Sequence, residues 1–232
     1  INSDITVAKT LSGDFYCSDE MLALVKEKIF ETSWQFICSK DEISEPDTVF
    51  PFYLLESFIS EPLILVNHND EINCLSNVCT HRGNILVEKR GKIKKNIVCN
   101  YHGKSFAKDG KFVFMPETEG MKDFPCMNDN LTKIKISNFF QFLFVSLNPI
   151  FPLEEITKEM MNRVSWLPFD DLELRKDLSK SYEIDANWAL YCDNYLEGFH
   201  IPFIHKDLNA TLDYKKYDVE LFKYSNLQIG YA

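Results

Sequence analysis

Two short strings, each holding a cysteine and a histidine, are the residues of this chain best suited to bind a metal. Cys79 and His81 form Cys-x-His, and Cys99 and His102 form Cys-x-x-His after 17 intervening residues. Two turns that each supply a thiolate and an imidazole can hold a diiron cluster, with both cysteines on one iron and both histidines on the other. Neutral imidazole ligands raise the reduction potential of such a cluster. The spacing therefore predicts a redox centre.

A Cys2His2 zinc site is the alternative for these four residues. Zinc knuckles usually open with two cysteines separated by a few residues, so Cys-x-His is unusual for them. The flanking residues favour the diiron cluster, because the two strings read Cys-Thr-His-Arg-Gly and Cys-Asn-Tyr-His-Gly. The glycines, Gly83 and Gly103, would allow the backbone to turn sharply around the metals.

The two strings resemble the two cluster-binding loops of the Rieske family, glycines included. Rieske proteins of respiratory complexes carry an extra cysteine in each loop, and the two form a disulfide. Asn84 and Tyr101 occupy those positions here. The resemblance is therefore to the oxygenase and ferredoxin type, which tends to have a lower potential. One departure concerns the packing beside the cluster: many oxygenases continue the second loop with Gly-Trp, whereas this chain has Gly103-Lys104.

A second candidate metal site lies in an aromatic-rich segment whose pattern predicts a helix over 188–200. At about 100° per helical residue, Asp193, Glu197 and His200 would lie within about 60° of one another. His205 follows a proline that ends the predicted helix, so it could turn back toward the same point. A carboxylate and two imidazoles that converge suit ferrous iron. Alternatively, two histidines at this spacing can be core residues, each hydrogen-bonded to a neighbour.

The segment 188–206 resembles the iron-binding helix of Rieske non-haem iron oxygenases, most of all choline monooxygenase and similar large (alpha) subunits. The resemblance implies that His200 and His205 bind a mononuclear Fe(II). The family takes its third ligand, an aspartate, from a helix well downstream, which we expect beyond residue 232. The aspartates shortly after His205 come too early to match it.

Three more residues of this segment match family positions near the iron. Glu197, three residues before His200, corresponds to an acidic residue that joins an iron-binding histidine to a cluster-binding histidine of a neighbouring subunit. Asp193 is the second candidate for that bridge. Asn194 matches an asparagine close to the iron. Such hydrogen-bonded partners orient the residues that bind a metal.

The composition is that of an ordinary globular protein with a sizeable core. Of 232 residues, 45% are hydrophobic, and the formal net charge is −10 from 25 basic and 35 acidic side chains. A chain this acidic repels phosphate backbones, so we expect no nucleic-acid partner. An apolar run of about 18 residues does not occur, so we expect no membrane span. Seven cysteines, an odd number, favour free thiols or metal ligands in a reducing, cytoplasmic compartment.

The pattern along the chain predicts an α+β fold: an antiparallel β Rieske domain, then the first part of a mixed α+β, helix-grip-like catalytic domain. We expect a lead segment in 1–34 that packs on the catalytic domain, the Rieske 2Fe–2S domain in 35–150, and an incomplete catalytic domain in 151–232. Apolar runs between turn residues predict strands. These are Val49–Leu55, Leu63–Val66, Ile72–Leu75, Ile97–Cys99, Phe112–Phe114, Phe139–Leu147, Ser181–Ile184, Val219–Phe222 and Leu227–Ile229.

Two further helices are predicted outside the histidine segment. One covers 18–31, with Ser18 as its N-cap and acidic residues in its first turn. The other covers 153–166. The run 139–147 is too apolar to alternate, which indicates a central strand.

The resemblance implies the terminal oxygenase component of a multicomponent system. A ferredoxin or flavoprotein reductase, drawing on NAD(P)H, would reduce the cluster. The mononuclear iron would then activate O2 to hydroxylate a small organic substrate, an aromatic compound or a quaternary amine, by mono- or dioxygenation. Because the bridge joins neighbouring subunits, a homotrimer is implied. The chain as given would be inactive by itself.

Two other functions compete with this interpretation. The chain could be a Rieske ferredoxin-type electron carrier without oxygenase activity, although the histidine segment argues against that. It could also be a zinc-binding interaction module.

A basic cluster between the two cysteine-histidine strings stands out in this acidic chain. It consists of Lys89, Arg90, Lys92, Lys94 and Lys95. Complementary charge speeds the encounter of proteins, so one hypothesis is a docking patch for an acidic ferredoxin or flavoprotein reductase. The alternative is an ordinary solvated turn.

Overall fold

The computed structural model describes residues 2–4 and 6–232. These residues form two compact units, which we call the β-rich unit and the mixed unit. The β-rich unit comprises Lys26–Leu153 and Leu167–Leu174, and the mixed unit comprises the chain up to Val25, Glu154–Trp166 and Arg175–Ala232. Both cysteine-histidine strings lie in the β-rich unit, and the histidine segment lies in the mixed unit. The domain limits expected from the sequence stay predictions.

Ten strands build the β-rich unit, and every neighbouring pair is antiparallel. They are β1 (Gln35–Ser39), β2 (Thr48–Leu54), β3 (Glu61–His68), β4 (Glu71–Ser76), β5 (Gly91–Lys92), β6 (Ile97–Val98), β7 (Ser105–Phe106), β8 (Phe112–Phe114), β9 (Lys133–Phe139) and β10 (Phe142–Ser146). Seven form one sheet in the order β1-β10-β9-β4-β3-β2-β5, and β6-β7-β8 form a second, small sheet. The expected antiparallel β domain is therefore confirmed.

Strand β3 separates two cores. Its residues Leu63, Ile64, Leu65 and Val66 are all fully buried. Because side chains alternate between the faces of a strand, Leu63 and Leu65 join one core, whereas Ile64 and Val66 join another. The second core also contains the cysteines of both strings and Phe106. Cys79 and Cys99 therefore pack on one face of the large sheet.

The run 139–147 is not the single strand that the sequence predicts. Strand β9 ends at Phe139, Phe140 adopts a left-handed conformation with φ of 50°, and β10 starts at Phe142. The apolar run thus contains a hairpin turn without the glycine or proline that usually marks one. Strand β10 does lie between two neighbours, β1 and β9, as expected for an interior strand.

Two buried cysteines outside the strings provide a test of this packing. Burial raises the pKa of Cys38 to about 11 and that of Cys74 to about 12. At pH 8 their thiolate fractions should therefore be about 10⁻³ and about 10⁻⁴, and the thiolate is the reactive form. We expect iodoacetamide at pH 8 to label the exposed Cys17 and Cys192 and to leave Cys38 and Cys74 unmodified, as read by mass spectrometry. Rapid labelling of the buried pair in the folded protein would contradict this packing.

The mixed unit contains six helices and a two-stranded antiparallel sheet among its described residues. These are α1 (Asp14–Cys17), α2 (Asp19–Val25), α3 (Glu154–Val164), α4 (Trp188–Tyr195), α5 (Ile201–Ile204), α6 (Lys206–Thr211), β11 (Asp218–Leu221) and β12 (Asn226–Ile229). The described helices are all too short or too polar to cross a membrane.

The helix predicted over 18–31 is found as α2 followed directly by a π-helical turn, Lys26–Phe30. The predicted N-cap is confirmed, because Ser18 Oγ accepts a hydrogen bond from the Met21 N–H at 3.3 Å. The strand predicted over 181–184 is wrong. This segment is exposed and irregular, since an alternating pattern forms a strand only where a neighbouring strand satisfies its backbone groups.

Candidate cluster and iron sites

The two cysteine-histidine strings fold into two loops with matching backbone hydrogen bonds. In the first loop the Cys79 N–H donates to the Asn84 carbonyl at 2.8 Å, and the Gly83 N–H donates to the Cys79 carbonyl at 3.0 Å. In the second loop Cys99 and Gly103 make the equivalent bonds, to the carbonyls of Lys104 and Cys99, at the same distances. The glycines have φ of 71° and 73°. Each loop therefore needs its glycine for a left-handed turn five positions into the hairpin.

The loops place their cysteines inside and their histidines outside. Cys79 and Cys99 are each 2% exposed, and their thiols are in hydrogen-bonding contact. His81 and His102 are exposed, with ring centroids 4.8 Å apart. The side chains are thus paired by type, cysteine with cysteine and histidine with histidine. A diiron cluster with two thiolates on one iron and two imidazoles on the other requires this pairing.

Hydrogen-bond donors surround the sulfur of Cys99. Burial opposes ionisation of this thiol, but the backbone N–H groups of Tyr101 and His102 and the amide of Asn84 outweigh it and lower the pKa of Cys99. The Asn84 amide lies 3.8 Å from the Cys99 Sγ. Thiolates are the form that binds iron, and donors to the sulfurs are among the features that set the potential of a cluster. These surroundings therefore favour a thiolate at Cys99, whereas burial raises the pKa of Cys79.

The surroundings of His81 favour its neutral ring. Desolvation lowers the pKa of His81, and the nearby charges of His102, Arg82 and Lys104 lower it further. Neutral imidazole is the form that binds metals. The Tyr101 ring lies over His102 with a centroid distance of 3.9 Å. In the described part of the chain, no three His, Cys, Asp or Glu side chains are placed to hold one ion.

Lys104, the departure from the family pattern, lies inside the protein. Its side chain is 2% exposed, and its Nζ donates to Asp129 Oδ1 at 2.7 Å. The rings of Phe106, Phe112 and Phe124 lie 5.5 to 5.8 Å from the same nitrogen. A lysine therefore fills the space beside the second loop, held by one carboxylate and three ring faces.

The helix predicted over 188–200 is shorter than expected. It ends at Tyr195, so Glu197 and His200 lie in a turn, and the shared helical face predicted for them with Asp193 is wrong. Gly198 disfavours a helix at this point by about 1 kcal/mol relative to alanine. Pro202 does not stop a helix either. It lies in the first turn of α5, where a proline is tolerated because the N–H there has no helical partner.

His200 and His205 nevertheless come together. They cap the two ends of the one-turn helix α5, and their ring centroids are 5.1 Å apart. Both line a recess of about 380 Å³ together with Asn194, Glu197 and Tyr217. Two imidazoles that face one recess can serve as two of the ligands of one iron ion.

The two candidate carboxylates have different partners. Glu197 Oε1 is hydrogen-bonded to His200 Nδ1, and its other oxygen accepts the Phe199 N–H. The bond to His200 lowers the pKa of Glu197, so the carboxylate is ionised at neutral pH. Asp193 Oδ2 instead accepts the Tyr16 hydroxyl at 2.5 Å. Glu197 is therefore the carboxylate that orients His200 and leaves its Nε2 free for a metal.

The turn before His200 is supported by contacts from Tyr217 and Gln228, which the sequence gave no reason to choose. The Tyr217 hydroxyl donates to Gln228 Oε1, and the Gln228 amide donates to the Tyr195 carbonyl at the end of α4. The Tyr217 ring lies directly against the backbone of Gly198. These contacts join residues 11 to 33 positions apart, which a local pattern does not reveal.

The close approach at Gly198 predicts a specific sensitivity. A Cβ at this position would lie 2.6 Å from Tyr217 Cε1, so one of the two must move. We expect Gly198→Ala to reduce the free energy of unfolding by about 1 to 3 kcal/mol, as is typical of an overpacked site. Thermal denaturation checks this. Gly13→Ala, where an added Cβ meets no atom within 4 Å, is the matched control. Equal melting temperatures for the two variants would contradict the packing.

Two family models match this chain. The model of the Rieske [2Fe-2S] domain matches residues 33–125. The model of the ring hydroxylating alpha subunit (catalytic domain) matches residues 169–229. The first match contains both loops, and the second contains both histidines of the recess.

Curated relatives of known activity cover almost the whole chain. The carnitine monooxygenase oxygenase subunit of Acinetobacter pittii (strain PHEA-2) is 27% identical over 228 residues, which are 97% of this chain and 60% of the relative. The chloroplastic choline monooxygenase of Arabidopsis thaliana is 25% identical over 232 residues, 95% of this chain and 54% of the relative. The 2-halobenzoate 1,2-dioxygenase large subunit of Burkholderia cepacia is 28% identical over 218 residues, which are 87% of this chain and 46% of the relative. The chain thus spans about 60% or less of these proteins.

Solved structures agree in fold. The quaternary ammonium Rieske monooxygenase CntA, in complex with its substrate gamma-butyrobetaine, matches with a TM-score of 0.79 and 25% identity over 96% of this chain and 62% of that chain. Naphthalene 1,2-dioxygenase from Rhodococcus sp. matches with a TM-score of 0.63 and 23% identity over 83% of this chain and 44% of that chain. The chain contains a Rieske [2Fe-2S] domain followed by part of the catalytic domain of a ring hydroxylating alpha subunit, and these two domains imply a 2Fe–2S cluster and a mononuclear iron.

Proposed function

We propose that the protein containing this chain is the terminal oxygenase of a multicomponent system, which hydroxylates a small organic substrate. When bound, the cluster supplies one-electron transfer and the mononuclear iron supplies O2 activation. The pairing of two buried cysteines with each other and of two exposed histidines with each other carries the proposal, because it matches the chemistry of the cluster. The chain spans only part of its relatives, so the activity concerns the whole protein.

Each loop residue has a defined role in this proposal. Cys79 and Cys99 would hold the inner iron in the second core, where water is excluded. His81 and His102 would hold the outer iron and form the exposed edge through which electrons leave. Support comes from the donors around Cys99 and from the lowered pKa of His81.

The iron site would use His200 and His205 as two ligands of the catalytic ion. Glu197 would hold the Nδ1 proton of His200, which fixes the ring with Nε2 toward the recess. Asn194, which lines the same recess, would lie beside the iron. We place the third ligand, an aspartate, outside residues 1–232.

Electron transfer between subunits follows from the roles of Glu197 and the exposed histidines. We propose a ring-shaped homotrimer in which Glu197 of one subunit accepts a hydrogen bond from a cluster histidine of the next. A recess of about 520 Å³ beside His81 and His102 supports this arrangement, because it leaves both rings accessible to another chain.

A quaternary amine is the substrate class that we favour, with an aromatic compound as the alternative. The carnitine and choline monooxygenases among the relatives, and the complex of CntA with gamma-butyrobetaine, support the first. The 2-halobenzoate dioxygenase supports the second. Oxygen uptake by the reconstituted protein with each substrate class would separate them. We further propose a cytoplasmic location, which the seven free cysteines of the described chain support.

The electron donor is proposed to be a ferredoxin or flavoprotein reductase. The basic cluster between the loops is partly neutralised, because Arg90 pairs with Glu42 and Lys92 pairs with Glu45 at 2.7 Å. Only the three remaining lysines, at positions 89, 94 and 95, are candidates for docking an acidic partner. They are exposed.

Charge removal tests the docking hypothesis. We expect alanine at all three lysines to slow cluster reduction by the physiological reductase several-fold and to flatten its dependence on salt, since complementary charge raises association rates. Stopped-flow absorbance measures both. Alanine at Lys133 and Lys135, two exposed lysines of β9, is the control. An unchanged rate and salt dependence would leave an ordinary solvated turn as the correct interpretation.

Iron and sulfide analysis tests the proposed function itself. Protein purified without oxygen should contain acid-labile sulfide and give the Rieske electron paramagnetic resonance signal after reduction. The protein with its complete catalytic domain should hold one more iron per chain than the cluster accounts for. Absence of that additional iron would favour an electron carrier. A colourless protein without the signal would favour zinc.

A further inference from the structure

A buried lysine stands beside the cluster loops, where the mechanism described so far does not use it. The Lys104 side chain is 2% exposed, follows His102 by two positions and reaches Asp129. A charged group removed from water is costly unless it is paired. Here the Asp129 carboxylate pairs with the ammonium group, and the aromatic faces of Phe106, Phe112 and Phe124 surround that group. The charge is thus held in place.

Asp129 is itself fixed and ionised. It ends a short 3₁₀ turn, Met127–Asp129, and its Oδ2 accepts the Cys126 N–H at 2.8 Å. Burial opposes its charge, but the bonds from Cys126 and Lys104 outweigh this effect and hold the pKa of Asp129 below its ordinary value. The carboxylate side chain is 16% exposed. An ion pair in this setting is screened much less by water than a pair on the open surface.

The same residue connects the pair to the first loop. The Thr80 hydroxyl, between the proposed ligands Cys79 and His81, donates to the Asp129 carbonyl at 3.0 Å. Lys104 belongs to the second loop and bonds the Asp129 side chain. One residue therefore anchors both loops, and the ion pair lies between them. Lys104 also lines the recess beside His81 and His102.

We propose that Lys104 is a positioning residue for electron transfer, whose fixed positive charge raises the reduction potential of the Rieske cluster, while its partner Asp129 limits that effect. The proposal rests on the ligand assignment of the proposed function. Reduction adds one negative charge to the cluster. A nearby cation stabilises the reduced state, and a nearby anion destabilises it. The potential would thus depend on the balance between the two members of the pair.

Opposite shifts from the two partners are the distinguishing result. We expect Lys104→Met to make the midpoint potential of the cluster more negative and Asp129→Asn to make it more positive. Asparagine keeps an oxygen that can accept the Cys126 N–H, so the turn is retained. The double variant should return toward the wild-type potential. If Lys104 and Asp129 had only a structural role, the midpoint potentials of both single variants would shift in the same direction or stay unchanged.

The measurement is a redox titration of the anaerobically purified holoprotein, followed by electron paramagnetic resonance. Lys108→Met is the matched control, because Lys108 is a second buried lysine, paired with Asp47, and its loss should leave the midpoint within error. The midpoint potential of Lys104→Arg, which keeps the charge, should stay closer to that of the wild type than the midpoint potential of Lys104→Met.

Each outcome decides the question. A negative shift in Lys104→Met together with a positive shift in Asp129→Asn supports the proposal, and any other pattern with an intact cluster overturns it. If Lys104→Met does not retain the cluster, Asp129→Asn decides alone: a positive shift supports the proposal, and an unchanged or negative midpoint overturns it. Failure of the proposed function is distinguishable, because the wild-type protein itself would then lack the Rieske signal or the additional iron, whereas the shifts in potential concern only the cluster.

Discussion

Replacing Cys99 by serine is expected to abolish the 2Fe–2S cluster while leaving the β-rich unit folded. Cys99 is buried in the second core, and its sulfur receives donors from Tyr101, His102 and Asn84. A hydroxyl keeps the size of the side chain but is a far poorer ligand for iron, because it does not ionise near neutral pH. Visible absorbance, acid-labile sulfide and the electron paramagnetic resonance signal should all fall to background.

The control for this variant is an exposed cysteine outside the two loops. Cys17→Ser, in α1, should keep the cluster content of the wild type. Circular dichroism should show that both variants retain their β structure. Retention of the Rieske signal in Cys99→Ser would contradict the assignment of Cys99 as a cluster ligand and, with it, the proposed redox function.

Replacing Glu197 by glutamine should have the second large effect, on the passage of electrons to the iron. Glutamine has nearly the same shape, but its amide is neutral and offers one acceptor oxygen instead of two. The charge-assisted bond to His200 Nδ1 would weaken, and the proposed bridge to the neighbouring subunit would be lost. Removing such a partner typically costs about 10- to 100-fold in metal affinity or activity. We expect a loss of this size in single-turnover hydroxylation by the protein with its complete catalytic domain.

Asp193→Asn separates the two carboxylates that the sequence leaves as candidates. Asp193 accepts the Tyr16 hydroxyl, so its replacement should alter the contact between α1 and α4 without changing electron transfer. Cluster reduction should be normal in both variants, because neither residue lies in the β-rich unit. A severe loss in Asp193→Asn, with Glu197→Gln close to wild type, would transfer the bridging role to Asp193.

The predictions differ in how directly they depend on the loops. The cysteine variant tests a contact made inside one hairpin, whereas the glutamate variant tests a turn whose shape depends on Tyr217 and Gln228. The lysine and aspartate variants test a charge pair that joins both loops through a third segment. The effect of Cys99→Ser should therefore depend least on the remainder of the protein.

The sequence alone predicted the two loops of the candidate cluster site. Each loop closes by hydrogen bonds within six consecutive residues, so the spacing of cysteine, histidine and glycine already contains its geometry. Strands β2, β3 and β4 of the large sheet were predicted for a related reason, since alternating and continuous apolar runs report the faces on which they are buried. Strands β1, β5 and β9 were not predicted.

Only the tertiary structure decided the remaining features, because they depend on residues far apart in the chain. The sequence singled out Lys104 as unusual, but its burial depends on a carboxylate 25 positions later and on three rings. The turn at Glu197 and His200 replaced the predicted helix, since Gly198 admits the ring of Tyr217. Local periodicity reports which side of an element is apolar, whereas the partner that covers that side is chosen by the packing of the whole chain.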